Sequence, residues 1–352
     1  MKCVILCAGV GRRLQPITHT IPKQLIPIAN TPLLVHSIRK LLSIGIEDIG
    51  IVVNRQNKSI FESILTCYFS RGFHYIIQDS PKGIAHGLLS TEDFVGKEKF
   101  ILLLGDNSYD IGVERFVEDF MQGKDNCKIL LKKVDNPEEY GVAYIEEGNI
   151  IFIEEKPKTA FSNWAITGIY GFDHNVFKAC KGIQPSKRGE YEITDAITWL
   201  LNNDYRVGYN ILEGHWQDVG SPIDAIVENA YRLSLIDNEL SGEIIDSQIV
   251  GKVILGKGST IYNSLIRGPV IIGDNSIIKY SYVGPYTSIG EKVNIDRSCV
   301  ENSIILDYSI ISGVDDMIDY SIAGKGSIIT KEKGLKAVNR FILGENAKIY
   351  LK

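Results

Sequence analysis

The stretch Val4-Ile5-Leu6-Cys7-Ala8-Gly9-Val10-Gly11-Arg12-Arg13-Leu14 runs from an apolar segment into a glycine-bearing turn that ends in two arginines, and a second basic cluster follows at Pro22-Lys23-Gln24-Leu25. A buried strand handing over to such a turn presents backbone N–H groups to an anion, because glycine accepts the conformations that aim them. Arg13 and Lys23 add cations. A cation beside several N–H donors suits a polyphosphate better than a carboxylate. Neither familiar phosphate loop fits: a dinucleotide fingerprint needs glycine where Leu14 stands, and the Gly-Lys-Ser/Thr of a P-loop is absent. The plainer alternative is a strand-to-helix turn that needs only small residues.

Further along, Gln78-Asp79-Ser80-Pro81-Lys82-Gly83-Ile84-Ala85 follows an apolar run. A glutamine carries an amide donor and a carbonyl acceptor, so Gln78 can pair with the imide edge of uracil or thymine; the segment also reads as a polar turn. Asp106 and Asn107 end the run Leu102-Leu103-Leu104-Gly105, where a sheet presents a carboxylate to a ligand or simply makes a turn. A second carboxylate, Asp218, lies in Trp216-Gln217-Asp218-Val219-Gly220-Ser221. Two carboxylates with phosphate oxygens and water make a typical magnesium site. Glu139-Tyr140-Gly141-Val142-Ala143, Glu154-Glu155-Lys156-Pro157 and Ala165-Ile166-Thr167-Gly168 supply carboxylates, an amine and small residues suited to a sugar phosphate. Glu155 and Lys156 read equally as a solvated surface pair. In Arg188-Gly189-Glu190-Tyr191-Glu192-Ile193-Thr194-Asp195, Thr194 or Asp195 can cap the helix that follows, while Arg188 has no such local task.

These segments need a scaffold. From the start to about residue 210, strand-like runs at Val4–Leu6, Ile49–Val53, Phe73–Ile77 and Phe100–Leu104 alternate with helical patterns over 32–44 and 60–69. That alternation predicts an α/β fold around a mostly parallel sheet, with ligands at the carboxyl ends of the strands. A helix is expected from Pro222 to about Leu235, then a polar linker over 236–242. From Glu243 on, units such as Val253-Ile254-Leu255-Gly256 and Val270-Ile271-Ile272-Gly273 recur at a spacing near six, and the tail Phe341-Ile342-Leu343-Gly344 continues the pattern weakly. Such repeats predict a left-handed parallel β-helix, with aliphatics stacked inside and glycine at the corners. The expected domains are 1–236 and 243–352.

With 352 residues, 44% of them hydrophobic, the chain can bury two cores. A net charge of −5 argues against general nucleic-acid binding, so phosphate binding must be local. The six cysteines form no Cys-x-x-Cys pair or zinc-spaced cluster and read as reduced. No apolar run approaches the length of a membrane span and no leader precedes the first strand, so a cytoplasmic protein is expected.

Leu6 to Leu14 with Lys23-Gln24 resembles the Leu-Ala-Gly-Gly-x-Gly-Thr-Arg-Leu loop of the sugar-1-phosphate nucleotidyltransferases, with Cys7-Ala8 in place of Ala-Gly and Arg12 in place of Thr. The segment from Arg188 to Asp195 resembles that of the members that make thymidylyl sugars, and the long form of these carries a β-helical extension. The resemblance implies a Rossmann-like domain followed by that β-helix. It implies nucleotide contacts at Leu6, Ala8, Gly9, Gly11, Gln24, Gln78, Gly83 and Asp106, with Arg13 and Lys23 acting on the reacting phosphates. It implies sugar-phosphate contacts at Asn107, Tyr140, Gly141, Glu155, Lys156, Ile166, Thr167 and Arg188, and Mg²⁺ on Asp106 and Asp218. The implied substrates are dTTP and α-D-glucose 1-phosphate; UTP with glucose or N-acetylglucosamine 1-phosphate, and a non-catalytic regulatory homologue, are the alternatives. Some relatives carry an acyltransferase in the repeats, generally with a histidine base, but every histidine here precedes them. The repeats are therefore expected to mediate assembly of a homo-oligomer.

Overall fold

The computed structural model describes residues 1–331 and Lys348; the expected repeat at Phe341–Gly344 lies outside them. Two compact units are present. The first takes Met1–Val10, Lys23–Leu25 and Leu33–Asp218, the second Gly11–Pro22, Ile26–Pro32 and the described residues from Val219 onward.

In the first unit β1 (Lys2–Leu6), β2 (Asp48–Val53), β3 (His74–Ile77) and β4 (Phe100–Leu104) form a parallel run in the order β4-β1-β2-β3. The interiors of β1, β2 and β4 are continuous buried runs rather than alternating ones, because helices cover both faces of such a sheet, while β3 at the end of the run is only partly buried. Among those helices are α1 (Leu33–Ser43), α2 (Lys58–Tyr68) and α3 (Ile84–Leu89). Register decides where ligands can be met. Leu6 lies opposite Val52 and Leu104, and Val53 opposite Ile77, so the loops after all four strands leave from one edge.

The rest of the sheet is mixed. A short β5 (Asn107–Tyr109) stands outside it, and β6 (Cys127–Lys133), β7 (Gly141–Glu146) and β8 (Asn149–Glu155) lead to the long β9 (Trp164–Phe172). β9 runs antiparallel to β4, β6 and β7, which joins the hairpin β7-β8 to the parallel core. β10 (Val207–Ile211) adds to β6, and β11 (Trp216–Asp218) pairs with β5, bringing Asp218 opposite Asn107. A further helix, Ile193–Asn202, opens with Glu192 in the N-cap position rather than Thr194 or Asp195.

In the second unit the helix Pro222–Ser234 opens on a capping box: the Asp224 N–H donates to Ser221 Oγ at 3.3 Å and the Ser221 N–H to Asp224 Oδ2 at 2.7 Å. Among the described residues, three sheets of six, six and five short parallel strands then stack as a left-handed β-helix, with Val253, Leu255, Ile261, Ile266 and their counterparts in later coils filling the inside. Two expectations need correction. The 236–242 linker contains the strand Glu239–Leu240, already paired with Ile254 and Leu255. The left-handed corners are not mainly glycine: one runs Asp246, Asn263, Tyr280 and Arg297, with φ between 44° and 49°.

What makes those corners tolerable is hydrogen bonding from coil to coil. The N–H groups of Asn263, Tyr280 and Arg297 donate to the carbonyls of Ile245, Tyr262 and Lys279 at 3.1, 3.0 and 3.0 Å. Each corner residue is followed by a serine. The N–H of Ser264 donates to Ser247 Oγ, that of Ser281 to Ser264 Oγ and that of Ser298 to Ser281 Oγ, at 3.0 to 3.1 Å across a step of 17 residues. A left-handed residue costs on the order of 1–2 kcal/mol, and satisfying a buried backbone group recovers a similar amount.

Within this unit Asn229, fully buried on the helix, ties three segments together. Its Oδ1 accepts from the Ala29 N–H at 2.8 Å and from Ser288 Oγ at 2.9 Å, and its Nδ2 donates to the Tyr286 carbonyl at 3.2 Å. Asn229→Ala strands a buried N–H and a carbonyl, so a loss of about 2–4 kcal/mol is expected, read as a lower Tm by scanning calorimetry. An unchanged Tm would show that the helix docks through its apolar contacts alone.

Candidate active site

The loop after β4 places Asp106, its side chain 17% exposed, beside Lys23, whose Nζ donates to its Oδ2, while Asn107 Nδ2 donates to its Oδ1 at 3.0 Å. Asn107 is itself held: Trp216 Nε1 donates to its Oδ1 at 2.7 Å. Burial alone would push the Asp106 carboxyl up, but the charge and hydrogen bond of Lys23 outweigh it and hold the group below the ordinary aspartate range. Gly9 gives Lys23 its room, since a Cβ there would meet Lys23 Cε at 3.6 Å. The loop base is pinned by the Cys7 N–H on the Val52 carbonyl and the Gly105 N–H on the Leu6 carbonyl, at 2.7 and 3.0 Å. Cys7 and Ala8 are buried, and burial, reinforced by the Asp106 charge, pushes the Cys7 thiol up so that it stays protonated. Gln24 is buried with its Oε1 unpartnered. Asp106, Asp218 and that amide oxygen are hard oxygen donors of the kind a divalent cation such as Mg²⁺ takes.

Beyond β3, Gln78 is buried with its N–H on the Val53 carbonyl at 3.0 Å. Gly83 has φ +104° and abuts the backbone of Tyr191: a Cβ there would fall 2.5 Å from the Tyr191 oxygen. The Tyr191 N–H donates to the Lys82 carbonyl at 2.8 Å and the Ala85 N–H to the Tyr191 carbonyl at 3.1 Å. Gly83 thus joins the Gln78 loop to the Arg188 loop, a role that its expected contact with a base did not include.

Arg188 sits among carboxylates. Its guanidinium lies 3.4 Å from Glu155, 3.4 Å from Glu190 and 3.7 Å from Glu192, and Thr194 Oγ1 donates to Glu155 at 3.3 Å. Burial pushes the Glu155 carboxyl up and the Glu192 charge adds to it, against Lys156, Arg188 and Thr194. A Cβ on Gly141 would meet Thr194 Cγ2 at 2.8 Å and Glu155 Oε2 at 3.1 Å, so that close approach needs glycine. Lys156 is exposed at φ +46°, its N–H on the Tyr140 carbonyl at 3.0 Å, and the Tyr140 ring packs 5.2 Å from that of Trp216.

Two expected sugar-phosphate contacts are occupied by the fold. Thr167 is fully buried, its hydroxyl donating to the Leu130 carbonyl at 3.0 Å and its carbonyl accepting from Tyr109 at 2.6 Å, and the neighbouring Ile166 is buried too. The Asn107 amide serves Asp106 and Trp216 as described. Gly11 and Arg13 belong to the second unit, where Gly11 has φ +68° and the Arg13 guanidinium lies against Gly220, whose Cβ, if it had one, would be 2.6 Å from Nη2. Sequence reading assigned nothing to Trp216, Glu192 or His86, and only the position of each beside a predicted residue signalled a task.

A buried amide after β3, a carboxylate with its lysine after β4 and an arginine among carboxylates, on an α/β scaffold, are groups suited to a nucleotide and a sugar phosphate. The family model described as nucleotidyl transferase matches residues 2–234. The chain is similar to glucose-1-phosphate thymidylyltransferase of Streptomyces griseus, 36% identical over 351 residues, with 99% of each chain covered. Among solved structures it is similar to a Bacillus anthracis protein assigned as a glucose-1-phosphate thymidylyltransferase, at 39% identity and a TM-score of 0.63, covering 68% of this chain and 98% of that one. A UDP-glucose pyrophosphorylase complexed with UDP-glucose follows at 27% identity and a TM-score of 0.60, covering 66% and 98%. The chain belongs to the nucleotidyl transferase family and is a sugar-1-phosphate nucleotidyltransferase. No helix among the described residues is long and apolar enough to cross a membrane.

Lys23→Met tests the acidic centre. In the native protein the depressed Asp106 carboxyl contributes stability above the ordinary aspartate range, lost as pH falls through its folded value. Without Lys23, only the Asn107 amide and a backbone N–H oppose burial and the carboxyl titrates higher, so the variant should be about 1–3 kcal/mol less stable at pH 7. The gap in Tm should narrow towards pH ~4; a gap independent of pH would show that the pair does not set the Asp106 charge.

Proposed function

We propose that the protein transfers a thymidylyl group from dTTP to α-D-glucose 1-phosphate, releasing pyrophosphate. The observation that carries this reading is the 36% identity to the Streptomyces griseus thymidylyltransferase over 99% of both chains. The Gln78 amide is compatible with thymine. It serves uracil as well, and the likeness to the structure complexed with UDP-glucose favours UTP as the second reading.

A phosphate oxygen of the sugar 1-phosphate attacks the α-phosphorus in line; the new P–O bond forms as the bond to the β-phosphate breaks, and pyrophosphate leaves with that electron pair. No group on the enzyme bonds to phosphorus, so its task is to orient two anions and offset their repulsion. Lys156 and Arg188 hold the phosphate of the nucleophile, and Glu155 the sugar hydroxyls. Arg13 is assigned from its loop motif to the departing phosphates, and Lys23 to the reacting phosphoryl group. Asp106 and Asp218 would hold Mg²⁺, which when bound neutralises charge on the transferring group. Residues 1–236 carry the reaction in this reading, and the repeats over 243–352 assemble a cytoplasmic homo-oligomer.

Pyrophosphate release from dTTP, UTP, ATP, CTP and GTP against glucose, galactose and N-acetylglucosamine 1-phosphates tests the substrates. A dominant signal from dTTP with glucose 1-phosphate is expected; UTP with an amino sugar would replace the substrates, and silence from folded protein would replace catalysis by a scaffold role. Arg13→Ala and Asp218→Ala should each lower kcat by about 100-fold or more at unchanged Tm, and near-normal rates would remove those assignments.

A further inference from the structure

We propose that His86 is the positioning residue that fixes which way the Gln78 amide faces, and through it the enzyme's choice of imide pyrimidines over cytosine. The inference rests on the reading of Gln78 as the partner of the base.

Gln78 Nε2 lies 3.0 Å from His86 Nδ1. With the amide placed so, Nε2 donates and Nδ1 accepts, which matches the imidazole tautomer that carries its proton on Nε2. The bond uses one Nε2 hydrogen, and the amide lies over Gly87, where a Cβ would come within 3.0 Å of Oε1 and 3.4 Å of Nε2. Gly87 therefore makes the room and His86 makes the choice.

The imidazole is steadied in turn. Its ring centroid lies 6.3 Å from that of Tyr191, tilted by 33°, and the Tyr191 backbone is bonded to Lys82 and Ala85 on either side of Gly83. His86 projects from α3, and the backbone of Gln78 is anchored on Val53 at the end of β2. The amide thus keeps its side-chain torsion as the only freedom that matters, and His86 takes that freedom away.

The consequence is chemical. The edge of thymine or uracil offers an N3–H donor beside a carbonyl acceptor, and an amide presenting oxygen to the first and nitrogen to the second matches it. Cytosine offers N3 as an acceptor beside an amino donor, which matches the same amide rotated by half a turn. Without a partner, a glutamine can serve both edges. With its nitrogen committed to a ring acceptor, Gln78 serves only one, and the wrong base leaves buried polar groups unpaired.

Calorimetric titration of the full chain with dTTP, UTP and CTP in Mg²⁺, without sugar phosphate, tests this. Wild type should bind dTTP and UTP at least about tenfold more tightly than CTP. His86→Ala should bring that ratio close to one. His86→Glu, which can only accept, should keep the preference, whereas His86→Lys, which can only donate, should draw Oε1 round and favour CTP. Glu and Lys variants with the same ratio would overturn the inference, as would an imide preference that survives His86→Ala. A wild type that binds CTP as well as dTTP would instead overturn the reading of Gln78 and take the inference with it.

Discussion

A carboxylate largely withdrawn from water has to be answered by charge, and the first unit is arranged to answer Asp106. Unpaired, the group would take up a proton and lose its value to any cation. Lys23 supplies the charge, Asn107 the second hydrogen bond, and Trp216 keeps Asn107 from turning away. Each of these comes from a different segment, so the strand register that levels Leu6 with Leu104 and sets Asp218 opposite Asn107 is an electrostatic requirement as much as a topological one.

The second unit meets a different constraint with backbone groups. A chain that turns sharply three times in each coil has to place residues in the left-handed region and still satisfy every N–H the coils bury. Serine after the corner residue does this, because its hydroxyl accepts from the coil above while the corner N–H donates to the coil below. Once every coil is satisfied in this way, the corner residue itself can be Asn, Asp, Tyr or Arg, which is why the expected glycines are sparse there.

The strands β1, β2 and β4, the helix after Pro222 and the repeats were legible in the chain because continuous apolar runs and hexapeptide spacing report burial directly. Segments flanking strand ends were legible as the loops that leave from one edge of the sheet. What stayed hidden were second partners. Nothing local in Asn107 says that its amide belongs to Trp216 and Asp106, and the hydroxyl of Thr167 is used on Leu130, a residue 37 positions away. Glu192 replaced Thr194 at the helix start because capping is set by backbone conformation, and Thr194 was needed by Glu155. The serine after each corner was visible in the sequence as Asp246-Ser247, Asn263-Ser264 and Tyr280-Ser281, but its meaning required the 17-residue step between coils.

Three of the groups assigned a ligand in the first unit already have an internal partner: Lys23 has Asp106, Arg188 has Glu155, Glu190 and Glu192, and Gln78 has His86. Lys23, 17% exposed, would cost the fold stability without Asp106, whereas Arg188, 45% exposed, is answered in part by water, so its pairing with carboxylates is worth less and is more readily exchanged. On the proposed reaction, a phosphate reaching Arg188 exchanges a carboxylate for itself, and the net gain is the difference between two ion pairs rather than the whole of one. That difference favours a dianion over a neutral sugar, which has nothing to trade. The amide differs from the two cations in one respect. The bond from Gln78 to His86 uses a hydrogen the base does not need, so it persists through binding and can act as a constraint, whereas the ion pairs of Lys23 and Arg188 act as placeholders.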